Sequence, residues 1–263
     1  MIKQITRECD LNTYLLRKTW RGRNMYAYYK AYGLDYPFCQ FYTVGADGVL
    51  LCFNSTMYIV SADEEEAEDL AVFIRMHAPF RVECNEPVRA LLAELLPEYR
   101  SLHRTTFTLH PDEDAKEAEA FVEFNPKLEN VYHILQEGFP NLQDYPLWLT
   151  DTSHRCRHGV SHVLTYKNST TATIQFDIDN HVLVGQVATL PEARGLGHAR
   201  AFLRWLAWFL AQFDKKAALY ALDIRESFYR EIGFTPIETE YVLERTEEAH
   251  DLITKGLLDN GNA

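Results

Sequence analysis

A single stretch narrows the fold of this chain more than any other: Val187-Ala188-Thr189-Leu190-Pro191-Glu192-Ala193-Arg194-Gly195-Leu196-Gly197-His198-Ala199. A β-rich run is stopped by a proline, and a turn holding two glycines opens a helix. That helix extends to about residue 213, with Ala199, Phe202, Leu203, Leu206, Phe209, Leu210 and Phe213 at three- and four-residue spacing on one face. Glycines at such a junction let the backbone come close to a ligand. The unpaired N–H groups at the positive end of the helix dipole favour an anionic group such as pyrophosphate, and Arg194 adds a charge. The dinucleotide pattern Gly-x-Gly-x-x-Gly breaks at Arg200, and no Gly-Lys-Ser/Thr follows to make a P-loop, so neither nucleotide reading stands.

Periodicity places an ordered set of elements around this stretch. Helices are expected over residues 127–137 and 145–153, and strands over 163–166, 171–177 and 181–190. The long helix follows, then a strand over 217–222, a short helix over 226–231 and strand material through Val242. Asp179-Asn180 suits the tight reversal between two of those strands. In the amino half, a helix capped by Asp10 precedes a helical stretch over 25–30 that stops at Gly33. Strands are expected over 38–44, 49–53 and 57–60, the first two flanking Gly45-Ala46-Asp47-Gly48. Ser61 or Asp63 then opens a helix to His77, followed by a helix over 88–96 and a strand over 104–109. Residues 111–119 are acidic and show no apolar face, which reads as a linker and divides the chain into 1–118 and 119–263.

The turn also fits Arg/Gln-x-x-Gly-x-Gly/Ala, through Arg194, Gly197 and Ala199, and about 30 residues later Phe228-Tyr229-Arg230-Glu231-Ile232-Gly233-Phe234 fits Tyr-x-x-x-Gly-Phe. Both motifs fall in the order helix, helix, three antiparallel strands, helix, strand, helix, strand. On these grounds residues 120–245 resemble the GCN5-related N-acetyltransferase superfamily. The resemblance implies an α/β acyl-CoA N-acyltransferase fold with a central mixed, mostly antiparallel sheet. It leaves an amino-terminal α+β domain, for which a degenerate or partial copy of the same fold, giving a tandem arrangement, is one reading.

The resemblance further implies acetyl-CoA as co-substrate, its pyrophosphate held by backbone N–H groups of Gly195, Leu196, Gly197, His198 and Ala199 beside Arg194. Its pantetheine arm would pair along Val187, Ala188 and Thr189, with one N–H meeting the thioester oxygen. An amine of a small molecule or peptide would attack directly. Tyr229 is implied as the general acid, a phenol of pKa about 10 donating to a thiolate that titrates at about 8.5. The family often has Asn about seven residues before this tyrosine, where this chain has Leu222 and then Asp223, so Asp223 is the expected substitute at the cofactor. Gln186, His162 and Glu226 are candidates for the base, with no spacing to choose among them. The missing Asn supports a competing reading, a catalytically inactive acyl-CoA-binding or regulatory protein.

Charge and composition bound the partners. The chain has 263 residues and a net charge of −12, which disfavours broad capture of nucleic acid or anionic lipid and mildly favours a cationic acceptor. Asp63-Glu64-Glu65-Glu66 would repel a pyrophosphate at the helix they open, so a degenerate amino-terminal copy should not bind CoA there. The basic, aromatic residues Arg17, Lys18, Trp20, Arg21 and Arg23 read as a solvated helix face. Cys9, Cys39, Cys52, Cys84 and Cys156 are odd in number and lack a Cys-x-x-Cys pair, as in a reduced cytoplasmic protein. His154, Cys156, His158 and His162 would share a metal only if one helix ran past Gly159, so no metal is expected. The first eight residues are charged where a secretory leader is apolar, and no stretch approaches a membrane span. A monomer or homodimer without membrane contact is the expectation.

Overall fold

Short, mostly buried strands, set against helices with one apolar face, produce the same element order twice along the chain in the computed structural model, which describes residues 1–139, 142 and 144–246. The protein is mixed α/β and divides into two units. One comprises Met1–Arg104 with the described residues from Glu240 on, and the other Thr105–Thr239.

The first unit begins with β1 (Ile2–Gln4), α1 (Thr13–Leu16) and α2 (Trp20–Tyr32), followed by β2 (Cys39–Val44), β3 (Gly48–Phe53) and β4 (Thr56–Val60). It continues through α3 (Ala67–His77), β5 (Arg81–Glu83), α4 (Val88–Leu95) and the first part of β6 (Tyr99–Thr108). Neighbours β1 to β4 pair antiparallel, and β4 pairs parallel with β5. The Thr19 hydroxyl caps α2 by accepting from Gly22 N–H, and the helix stops at Gly33. Leu50, Met57, Ile59, Leu70, Ile74, Val82 and Leu92 form the core.

The second unit repeats this order: β7 (Val122–Glu123), α5 (Leu128–Gln136), α6 (Tyr145–Arg157), β8 (His162–Tyr166), β9 (Thr170–Ile178), β10 (His181–Thr189), α7 (His198–Ala211), β11 (Lys216–Leu222), α8 (Asp223–Glu231) and the first part of β12 (Thr235–Arg245). Its pairing repeats too, antiparallel from β7 to β10 and parallel between β10 and β11. Alternation along the strands gives the sheet two apolar faces. Leu164, Tyr166, Val182 and Val184 meet Phe202, Trp205 and Leu206 of α7. Val163 and Ala188 meet Val131, Ile134 and Leu135 of α5 and Trp148 of α6. At the β9–β10 reversal Asp179 and Asn180 both have positive φ, 51° and 59°, the twist a two-residue hairpin needs and one these two residue types tolerate.

Each sheet takes in a strand from the other half of the sequence. The order is β1-β2-β3-β4-β5-β12-β6 in the first unit and β7-β8-β9-β10-β11-β6-β12 in the second. The two units therefore part inside β6 and β12 rather than near residue 118. The acidic segment expected as a linker is a 3-10 stretch, Glu113–Phe121, within the second unit. Ala115 and Ala118 pack on the core, Trp208 Nε1 donates to Glu113 at 3.1 Å, and Arg204 pairs with Asp112. A three-residue period turns two small alanines inward, and a search for a large apolar face passes over them. Among the described residues no helix is long and apolar enough to cross a membrane.

Candidate functional site

Strands β10 and β11 begin side by side and then separate. Parallel partners run from His181↔Lys216 to Val184↔Leu219, and among the described residues no pair joins 185–189 to 220–222. A bulge drives the parting: the β9–β10 register shifts between Gly185 and Ala188, and Gln186 sits at φ 51°. Residues 185–189 stay bound on their other edge, with Ala188 opposite Thr171 and Thr189 opposite Thr170. The result is a wedge with strand backbone on both walls.

The expected wedge residues use their side chains elsewhere. Ala188 faces α5, where a Cβ on Gly138 would lie 2.9 Å from its own, and Val187 packs against the opposite core. The Thr189 hydroxyl lies 3.1 Å from that of Thr170. Backbone is what these three residues can offer a ligand. Gln186, a candidate base, has its Oε1 engaged by the Thr173 hydroxyl at 2.9 Å.

The turn beyond β10 is held open by two glycines. Gly195 and Gly197 have φ of 78° and 76°, and a Cβ at either position would meet no atom within 4 Å. Leu196 between them is exposed. Gly197 is the N-cap of α7, no side chain caps the helix, and no acidic residue stands in its first turn. The N–H groups of His198, Ala199 and Arg200 precede the first in-helix donor, Ala201, which bonds Gly197 O at 3.0 Å. Together with the helix dipole they form a cradle for an anion. Arg194 is exposed and keeps its charge beside the turn, while its guanidinium also braces it, donating to Thr189 O at 3.1 Å and to Glu137 O, just past α5, at 2.8 Å. His198 Nδ1 lies 2.8 Å from the Ser169 hydroxyl, and burial together with the Lys167 ammonium holds its pKa below the ordinary value.

Helix α8 starts directly at the end of β11. Leu222 is its N-cap and Asp223 its first residue, both exposed. Tyr229 is buried, its ring centroid 5.7 Å from Phe107 and 5.3 Å from Phe228. Burial pushes the phenol above its usual pKa, while Arg225 pulls weakly the other way. Tyr229 shares one core cluster with Val184 and Ala221, and Val187 packs on that cluster. Glu226 accepts from Thr105 and, at 3.2 Å, from Arg230, whereas His162 stands exposed at the start of β8. The histidine group is split. Helix α6 ends at Arg157, Gly159 takes φ 65°, and His162 belongs to a strand, leaving His154 and His158 stacked at 4.1 Å. A separate cavity of about 190 Å³, lined by Glu123, Asn130, His133, Thr165, Asn168 and Leu190 among others, contains none of the expected site residues. Sequence reasoning missed Ser169 and the β6 residues Thr105 and Phe107, none of which carries a motif.

No protein-family model matches the sequence, and no curated protein matches it. Solved structures do. A GCN5-related N-acetyltransferase from Sphaerobacter thermophilus aligns with a TM-score of 0.59 over 94% of this chain and 95% of its own, at 14% identity. One from Kribbella flavida gives 0.55 over 81% and 92%, at 15% identity. An acetyltransferase of the same family from Colwellia psychrerythraea gives 0.54 over 94% and 100%, at 13% identity. At such identities the likeness is one of fold. The chain has the acyl-CoA N-acyltransferase fold of the GCN5-related N-acetyltransferases.

Proposed function

We propose that the second unit binds acetyl-CoA and moves its acetyl group directly onto an amine of a small molecule or peptide. The observation that carries this reading is the parting of β10 from β11 beside an uncapped, glycine-bounded helix start. An extended pantetheine arm can add to the free edge of residues 187–189 as a strand would, and its pyrophosphate can lie against the N–H groups of Gly195, Gly197, His198 and Ala199, the Leu196 N–H being turned back to Ala193 O at 3.4 Å. A backbone N–H at the wedge stabilises the charge that grows on the thioester oxygen as nitrogen attacks. As the C–N bond forms and the C–S bond breaks, the amine proton passes to solvent water and Tyr229 donates a proton to the departing sulfur, recovering one from solvent as the products leave. Its raised pKa keeps the phenol protonated at neutral pH. Asp223 stands at the start of α8, where it can approach the cofactor in place of the family's Asn.

The first unit, with the same element order and pairing, reads as a degenerate copy. Its α3 start is closed by its own acids. The Asp63 carboxylate takes the Glu66 N–H, Glu66 accepts from the Asp63 N–H at 2.9 Å, and Glu68 and Asp69 add charge. Anion binding is therefore assigned to the second unit alone.

Thiol release from acetyl-CoA, screened over amine acceptors, tests the reaction. Tyr229→Phe should lower kcat by about a hundredfold or more while acetyl-CoA affinity stays within about twofold. Binding without transfer to any amine, together with no effect of Tyr229→Phe, would instead favour the non-catalytic reading suggested by Leu222.

A further inference from the structure

Helix α8 has little to hold it in place by itself. It is nine residues long, its N-cap has no side-chain hydrogen bond, and Asp223, Ile224 and Arg225 in its first turn are exposed. A helix this short is marginal in water without tertiary contacts. Besides β11 and the Arg200–Glu231 pair with α7, two residues of β6 supply them. Thr105 and Phe107 are two apart and so lie on the same face of the strand, both nearly fully buried. The Thr105 hydroxyl donates to Glu226, whose side chain is 19% exposed and also accepts from Arg230. The Phe107 ring packs on Tyr229 at 5.7 Å and lies under the Arg230 guanidinium at 5.4 Å. Glu226, Tyr229 and Arg230 sit at i, i+3 and i+4 on the helix, so one helix face is registered on one strand face at three points.

We infer that Thr105 and Glu226 are positioning residues for Tyr229, fixing the rotation and height of α8 on the strand that the first half of the chain contributes to the second unit. This rests on the acetyltransferase reading above. Phe107 gives α8 apolar burial, which permits sliding, whereas the hydroxyl-to-carboxylate bond is directional and fixes the register. A displacement near 1 Å at the reacting atoms costs up to about a hundredfold in rate, so a contact one turn away from the phenol is enough to matter.

The test is Thr105→Val in the full chain, which keeps shape and removes the donor, with Thr105→Ser as rescue. Thr105→Val should lower kcat about tenfold with acetyl-CoA Kd within about twofold, and Thr105→Ser should restore most of it. Tyr229 ionisation, followed as the phenolate absorbance difference between each protein and its Tyr229→Phe partner, should move towards lower pH in Thr105→Val. Loosening the helix hydrates the phenol, while the neighbouring charges Arg225, Glu226 and Arg230 remain. Wild-type kcat and an unmoved Tyr229 titration in Thr105→Val would overturn the inference. If the wild-type protein neither binds acetyl-CoA nor releases thiol, the acetyltransferase reading fails. The absorbance titration still decides whether Thr105 positions Tyr229.

Discussion

Gly197→Glu should abolish acetyl-CoA binding, weakening it by more than about a hundredfold, in a protein that still folds. The position is well suited to separate the two effects. Its φ of 76° imposes strain of roughly 1–2 kcal/mol on a residue with a Cβ. No atom lies within 4 Å of where that Cβ would go, so no clash is added. A carboxylate at the start of α7 interacts favourably with the helix dipole, by about 0.3–1 kcal/mol, which offsets part of the strain. Against a bound pyrophosphate the same carboxylate is a like charge in contact, which costs several kcal/mol. Calorimetry should show no acetyl-CoA heat, and the thermal midpoint should fall by only a few degrees. Unchanged affinity would mean that the ligand does not use this turn.

The largest loss of stability should come from Arg104→Met, at about 3–5 kcal/mol. Arg104 bonds Glu83 through both terminal nitrogens, at 3.0 and 2.5 Å, and Glu240 through Nε at 2.8 Å, while Arg21 pairs with the other Glu240 oxygen. Side chains of Arg104 and Glu83 are only 7% and 6% exposed. Methionine fills much of the volume but leaves the buried Glu83 carboxylate without its main cation and the half-buried Glu240 with Arg21 alone. Burial pushes the Glu83 carboxyl up. Arg104, by charge and hydrogen bond, outweighs that with help from Arg81 and Arg21, and the pKa ends below the ordinary value. A depressed folded pKa contributes stability that is present above the unfolded value and lost as pH falls through the folded one. The difference between wild type and Arg104→Met in urea midpoint should therefore be widest near pH 7 and shrink below about pH 4. An equal difference at both pH values would assign the effect to packing instead.

Most elements were legible because their periods are long enough to read. The apolar stripe of α7 and the β-rich, mostly buried runs of β2, β3, β8, β9 and β10 place each within a few residues of its observed ends. Strands β1, β5 and β7, at two or three residues, are too short to show a period, and neighbouring strands define them. The glycine turn was readable because left-handed backbone demands glycine. What it faces was not, since the parting of β10 from β11 depends on a bulge at Gln186, a residue with no turn preference of its own. Arg194 was legible as a charge but not as a brace, because its partners are carbonyl groups at Thr189 and Glu137. The inserted strands were read as strands, over 104–109 and through Val242, but their place was not: nothing local in 99–108 or 235–245 marks a strand that pairs with the other half of the sequence.

Acetyl-CoA titrated into the full-length protein, followed by calorimetry, tests the central claim most directly. Saturable binding with one ligand per chain is predicted, lost in Gly197→Glu. No heat at millimolar acetyl-CoA, or two equivalent sites per chain, would contradict the assignment of the cofactor to the second unit.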